Sequence, residues 1–148
     1  MNLSGNGDMG AAGCEAACKQ LSGCVMLESL DLSGCDVADE GAEAIARLLL
    51  GKPNLQNLTL RNCGITDQGA TAISKALARG SRLSALDLTG NSIGDDGCRA
   101  LQHCLLDCDT VENRVSAPNT TVVSVLLELN QVSLGISISA PSAKPLLS

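Results

Sequence analysis

Leucines recur in this chain at a fixed spacing of 28 residues, and that period restricts the fold more than any other property of the sequence. Leu27, Leu55 and Leu83 keep it, as do Leu30, Leu58 and Leu86, then Leu32, Leu60 and Leu88, and finally Leu49, Leu77 and Leu105. Asp39, Asp67 and Asp95, Gly41, Gly69 and Gly97, and Ala44, Ala72 and Ala100 run in the same register. A period between about 20 and 50 residues signals stacked supersecondary units, each able to bury its apolar face only against its neighbours.

Within a unit the apolar pattern changes period. LESLDL, LQNLTL and LSALDL alternate, which predicts short strands with Leu30 and Leu32 and their equivalents pointing inward. The second half turns to helical spacing and places Ala42, Ile45 and Leu49 inward, then Ala70, Ile73 and Leu77, then Cys98, Leu101 and Leu105. Asp39, Asp67 and Asp95 stand at the helix starts, where a carboxylate is expected to cap its own helix and meet the positive end of the dipole. Glycine in a first helical turn costs about 1 kcal/mol relative to alanine, so Gly41, Gly69 and Gly97 predict close packing, here of helix on strand layer. Short links, GKPN at Gly51 to Asn54 and RGSR at Arg79 to Arg82, favour parallel strands.

The repeats are irregular at both ends. In residues 1–26, Leu3 and Asn6 match Leu32 and Cys35 at a spacing of 29, and Ala16 and Leu21 match Ala44 and Leu49 at 28, so this part reads as a partial repeat whose strand is missing or degraded. Cys14, Ala17, Cys18 and Leu21 form an apolar stripe that covers the first full repeat. Three full repeats occupy 27–110. After Leu105 the leucine positions fall on Val111 and Arg114, and the spacing resumes only at Val122, Val125 and Leu127, as if eleven residues were inserted. Residues 111–148 therefore read as an insertion, a degenerate fourth strand and a Ser/Pro-rich irregular tail.

Composition narrows the classes of partner. With 148 residues and 45% apolar content the chain has enough apolar side chains for one domain. It has no Phe, Tyr or Trp, so Leu, Ile, Val, Ala and Cys must fill the core, which suits thin stacked layers. A net charge of -6 disfavours nucleic acid and anionic membrane and favours a protein partner with a basic surface. No apolar run approaches the length of a membrane span. The start MNLSGNGDMG lacks the basic and apolar regions of a signal peptide, so a cytoplasmic location with reduced thiols is expected for the eight cysteines. Cys14 with Cys18, and Cys104 with Cys108 beside His103, have the i, i+4 spacing of a zinc half-site. The core columns around them favour buried or incidental thiols, so no metal and no cofactor are expected. Bridging the thiols by oxidation would pull repeats together or apart and is expected to cost helical structure. His103 has no serine or carboxylate at a recurrent position to act with, and no phosphate-cradling glycine loop is present, so no catalytic residue is assigned.

The consensus carried by LESLDLSGCDV...GAEAIARLL, LQNLTLRNCGI...GATAISKAL and LSALDLTGNSI...GCRALQHCL resembles the ribonuclease-inhibitor-like leucine-rich repeat. The resemblance is specific over Leu27 to Leu105, partial over Leu3 to Leu21, and weak beyond Val122. It implies an α/β leucine-rich repeat solenoid, short, with a curved parallel sheet on the concave side and helices on the convex side. It also implies that Cys35, Cys63 and Asn91 turn inward and hydrogen-bond the loop backbone after each strand. Proteins of that family are intracellular and bind other proteins as inhibitors, receptor sensing regions or activators of small GTPases. The expected function is thus a non-enzymatic protein-interaction module or scaffold; the alternative is a fragment of a small-GTPase activator. On the concave side the binding residues are expected among Ser29, Asp31, Asn57, Thr59, Arg61, Asp87 and Thr89, with Asp31 and Asp87 flanking Thr59 to receive a basic side chain.

Overall fold

A computed structural model describes residues 1–52, 54–81, 83–106 and 124–126. The insertion and tail expected within 111–148, apart from the strand at 124–126, lie outside the described residues, as do Cys108, Val111, Arg114 and the end of the third repeat. A 3-10 turn at Gly7–Met9 leads into α1 (Gly10–Leu21), followed by β1 (Ser29–Asp31), α2 (Ala38–Leu50), β2 (Asn57–Thr59), α3 (Asp67–Ala78), β3 (Ala85–Asp87), α4 (Asp95–Leu106) and β4 (Ser124–Leu126). Strands and helices alternate as the change of period predicts.

The four strands form one parallel sheet in the order β1-β2-β3-β4. Its register repeats the sequence columns: Leu30 pairs with Leu58, Leu58 with Leu86, and Leu86 with Val125. The last pairing is the one that the resumed spacing predicts. At the other end the first strand is reduced rather than missing. Asn2 bridges Asp31 in parallel, the Leu3 amide donates to the Asp31 carbonyl at 2.8 Å, and the Gly5 amide donates to the Ser33 carbonyl at 2.7 Å.

Each helix packs on the next in chain order, α1 on α2, α2 on α3 and α3 on α4. Strand leucines and helix residues share a single apolar cluster in which Leu30, Ala42, Ile45, Ile73, Leu86, Cys98 and Leu101 are wholly buried. Burial contributes about 1.5 to 3 kcal/mol for a large aliphatic side chain, and the columns repeat it in every layer. The stripe predicted on α1 is present, with Cys14, Cys18 and Leu21 buried against this cluster.

Two expectations about the helix starts need correction. Asp39 does not cap α2, and Asp67 does not cap α3; each reaches forward to the next helix. Asp39 Oδ1 accepts from the Thr66 and Gly69 amides at 2.8 and 2.9 Å, and its Oδ2 accepts from Thr66 Oγ1 at 2.6 Å. Asp67 Oδ1 accepts from the Gly94 and Gly97 amides at 2.6 and 2.9 Å. Gly69 and Gly97 follow from this geometry rather than from helix on strand contact, whereas Gly41 faces a Val37 methyl and no carboxylate. A Cβ on Gly69 would lie 2.5 Å from Asp39 Oδ1 and 3.0 Å from the Ala42 Cβ, and one on Gly97 would lie 2.6 Å from Asp67 Oδ1. Glycine is required because the neighbouring repeat's carboxylate occupies the space over the amide.

The inward turn position behaves as the resemblance implies. Asn91 Nδ2 donates to the Leu60 and Leu88 carbonyls at 2.7 and 2.8 Å, while its Oδ1 accepts from the Cys63 and Ile65 amides at 2.9 and 3.1 Å. Cys63 Sγ donates to the Leu32 carbonyl at 3.2 Å, and Cys35 Sγ to the Leu3 carbonyl at 3.0 Å. These bonds satisfy buried backbone groups that no regular element would otherwise reach.

Candidate protein-binding face

The parallel register sets the expected binding residues in rows across the sheet. Ser29, Asn57 and Ala85 form one row and Asp31, Thr59 and Asp87 the next. Period 2 puts both rows on the face opposite the buried leucines. Ser29 and Asn57 are exposed, and Asp31, Thr59 and Asp87 are half-buried. At the turn that follows, Ser33 is half-buried and Arg61 exposed, but Thr89 is buried at 6% exposure and presents nothing to a partner.

The carboxylates in this patch have structural duties as well. Asp31 Oδ1 accepts from the Ser33 amide at 2.9 Å and from Ser33 Oγ at 2.6 Å, and Asp87 Oδ1 accepts from the Thr89 amide at 3.0 Å. Both are side-chain to backbone bonds two residues ahead, the arrangement by which aspartate closes a turn. Arg61 Nε lies 3.4 Å from Asp87 Oδ2, which joins the second repeat to the third. With the Arg61 side chain 53% exposed, water screens that pair and its contribution to stability is small. Asp87 is thus answered from within the chain, whereas no ion pair reaches Asp31 among the described residues.

The cysteines lie mostly in the core. Cys14, Cys18, Cys35, Cys63 and Cys98 are buried, Cys104 is half-buried and Cys24 is exposed. A hydrogen bond to Cys18, followed by burial, holds the Cys14 thiol far above the ordinary range, and burial raises Cys63 and Cys98. Among the described residues no group of three or more His, Cys, Asp or Glu side chains converges to hold a metal ion. His103 lies exposed on α4.

Two features escaped the sequence reading. Lys52, in the turn after α2, is buried with its ammonium on the Ser22 and Cys24 carbonyls at 2.6 and 3.0 Å. There it ties the loop after α1 to the following repeat, and nothing in its column repeats to signal it. The second feature is a cleft of about 640 Å³ between α2 and α3, built from helix positions and from Arg79 just past the end of α3. On α2 it is lined by Glu43, Ala46, Arg47 and Leu50, an i, i+3, i+4, i+7 face adjoining the buried one.

A family model described as the PRAME C-terminal domain matches residues 11–124, from the start of α1 to the start of β4. The chain belongs to that family. The PRAME C-terminal domain is leucine-rich-repeat-like, which agrees with the 28-residue columns and the parallel sheet. The match takes in all three full repeats and most of the partial one, so the PRAME-type unit includes α1 as well as the regular array. Its character suggests protein partners. No helix among the described residues is long and apolar enough to cross a membrane. Comparison with curated proteins yields no match.

Proposed function

We propose that this chain is a non-enzymatic protein-interaction module whose repeats form a curved, ribonuclease-inhibitor-like solenoid, with the sheet on the concave side as the binding face. In this reading residues 1–26 cap the array, 27–110 form it, and the remainder follows it. The module acts in the cytoplasm as a scaffold or sensing region and binds a protein with a basic surface rather than nucleic acid or membrane. The observation that carries the reading is the register of β1, β2 and β3, which lines up Ser29 with Asn57 and Asp31 with Thr59 and Asp87 in exposed or half-exposed rows. Repeat arrays use such rows because adjacent units present side chains at a constant interval along one extended surface. Asp31 supplies the charge for a basic side chain, while Arg61 sits at the margin of the patch on its bond to Asp87.

The test is substitution at the Asp31 carboxylate. Immobilised wild-type domain is expected to capture a partner saturably, and Asp31→Asn, which removes the charge and keeps an oxygen for the Ser33 amide, is expected to weaken capture about tenfold with circular dichroism unchanged. Undiminished capture by a folded Asp31→Asn protein would remove the sheet face from the reading. Stimulated GTP hydrolysis by a small GTPase in the same assay would replace the scaffold with an activator.

A further inference from the structure

The helical side of the molecule has a charge pattern that the sheet face does not use. Lys19, Arg47, Lys75 and His103 hold the same place in α1, α2, α3 and α4, each 28 residues from the next, and each lies in the last turn of its helix. A cation there complements the negative end of the helix dipole, which explains the residue type. Stacking of consecutive helices then sets the four side chains in a row, on helix axes about 8 to 10 Å apart. With Arg79 at the end of α3, the row gathers four of the ten Lys and Arg residues of a chain whose net charge is -6.

The row is not uniform. At the α1 end Glu15 answers it, with Oε1 at 3.1 Å from Lys19 and 3.9 Å from Arg47. Lys75 and Arg79 have no ion pair among the described residues. They border the α2–α3 cleft, whose floor is Ala46, Ala72 and Ala76, with Leu50 beside it at 49% exposure. Of the two acidic groups in the lining, Asp67 is committed to the Gly94 and Gly97 amides, which leaves Glu43, one turn before Arg47. Small side chains on the floor let a third helix approach closely, and the unanswered cations at one end set its polarity.

We propose that the α2–α3 cleft docks an acidic amphipathic helix of a partner protein, its apolar stripe over Ala46, Leu50, Ala72 and Ala76 and its carboxylates on Arg47, Lys75 and Arg79. The site is separate from the sheet face and stands whether or not that face binds. An apolar floor favours a peptide over a nucleic acid, whose phosphates would leave it unused.

Two synthetic helical peptides test it, both with leucines at i, i+3, i+4 and i+7, one with glutamates at the flanking positions and one with lysines. The glutamate peptide is expected to bind the full chain saturably by fluorescence anisotropy and to weaken as salt is raised. Lys75→Glu with Arg79→Glu, at exposed positions that spare the fold, is expected to weaken it at least about tenfold, whereas Arg61→Glu leaves it unchanged. Equal binding of the lysine peptide, binding indifferent to the double substitution, or no saturable binding of the glutamate peptide overturns the proposal. So does a salt-sensitive affinity for single-stranded DNA that exceeds that for the glutamate peptide, or self-association in sedimentation that the double substitution abolishes.

Discussion

The junction between the second and third repeats and the junction between the partial and first full repeats use equivalent positions with different chemistry. In the former, Asn91 makes three hydrogen bonds to the preceding repeat and one to the Leu88 carbonyl of its own, and Asp67 holds the Gly94 and Gly97 amides at the start of α4. In the latter, Cys35 stands in the place of Asn91 and Ala11 in the place of Asp39, so the preceding repeat offers α2 no carboxylate. The effect is visible where α2 is set beside α3, whose start receives Asp39 from the first repeat as α4 receives Asp67 from the second. Thr66, which opens α3, has extended backbone and an Oγ1 that accepts from the Gln68 amide, whereas its counterpart Ala38 is left-handed at φ 52° and α2 has no side-chain cap. The amide of Ala38 instead donates forward to the Cys63 carbonyl at 2.9 Å. Apolar columns and the strand ladder therefore hold the layers together at both junctions, and the polar side chains between layers decide how well each helix start is formed.

The comparison can be broken most sharply at Asn91. Asn91→Ala strands two buried amides and two carbonyls and is expected to destabilise the fold by about 3 to 4 kcal/mol, read as a lowered urea midpoint. Cys35→Ala at the equivalent position removes one thiol bond and is expected to cost only about 1 kcal/mol. Asp39→Ala, which frees the Thr66 and Gly69 amides, is expected to cost about 2 kcal/mol in the same assay. Gly69→Ala drives a Cβ into the Asp39 carboxylate and the rigid Ala42 Cβ, for an expected net loss of about 2 kcal/mol. The same change at Gly41 meets a Val37 methyl, as Gly69 meets an Ile65 methyl, but no carboxylate, and is expected to cost about 1 kcal/mol less than at Gly69. Equal losses at the two glycines would show that the forward carboxylate is not what demands glycine. At the smaller end, Ala38→Gly relieves a left-handed alanine and is expected to stabilise by up to about 1 kcal/mol.

Thiol labelling sharpens the contrast without altering stability. Alkylation followed by mass spectrometry is expected to modify exposed Cys24 first among the described cysteines. Cys14, Cys63 and Cys98, buried and with raised pKa values, wait for local opening even at mildly alkaline pH, because the reactive thiolate forms only above that pH. Cys14, at the junction with fewer polar ties, is expected to react before Cys63. The loss of helical signal foreseen on oxidation would follow that opening rather than precede it.

Most of the architecture was readable because burial is periodic. Leucine at 30, 58 and 86 gives the strands and their register, and the resumption at Val125 gives the fourth. The inward turn position was readable through a resemblance, since Cys35, Cys63 and Asn91 share little chemistry until a buried turn is imagined around them. The destination of Asp39 and Asp67 was not readable. A carboxylate at a helix start satisfies the local rule for its own helix, and only the stacking distance between helices reveals that the next one is within reach. The burial of Thr89, expected on the binding face, escaped for a similar reason: its column holds Ser33 and Arg61, which are less buried, and alternation does not say that the third member lies under the turn. The row of helix cations was present in the columns at 19, 47, 75 and 103, but attention to apolar identity passes over positions that share only a charge.

Because Asp39 and Asp67 serve the helix that follows them, a repeat does not contain everything that its own helix needs. A segment copied or exchanged from one strand start to the next would carry its glycine away from the carboxylate that shaped it. Grafts in which a donor glycine and the aspartate about one repeat upstream travel together should therefore fold better than grafts cut at the visible boundary between strand and helix.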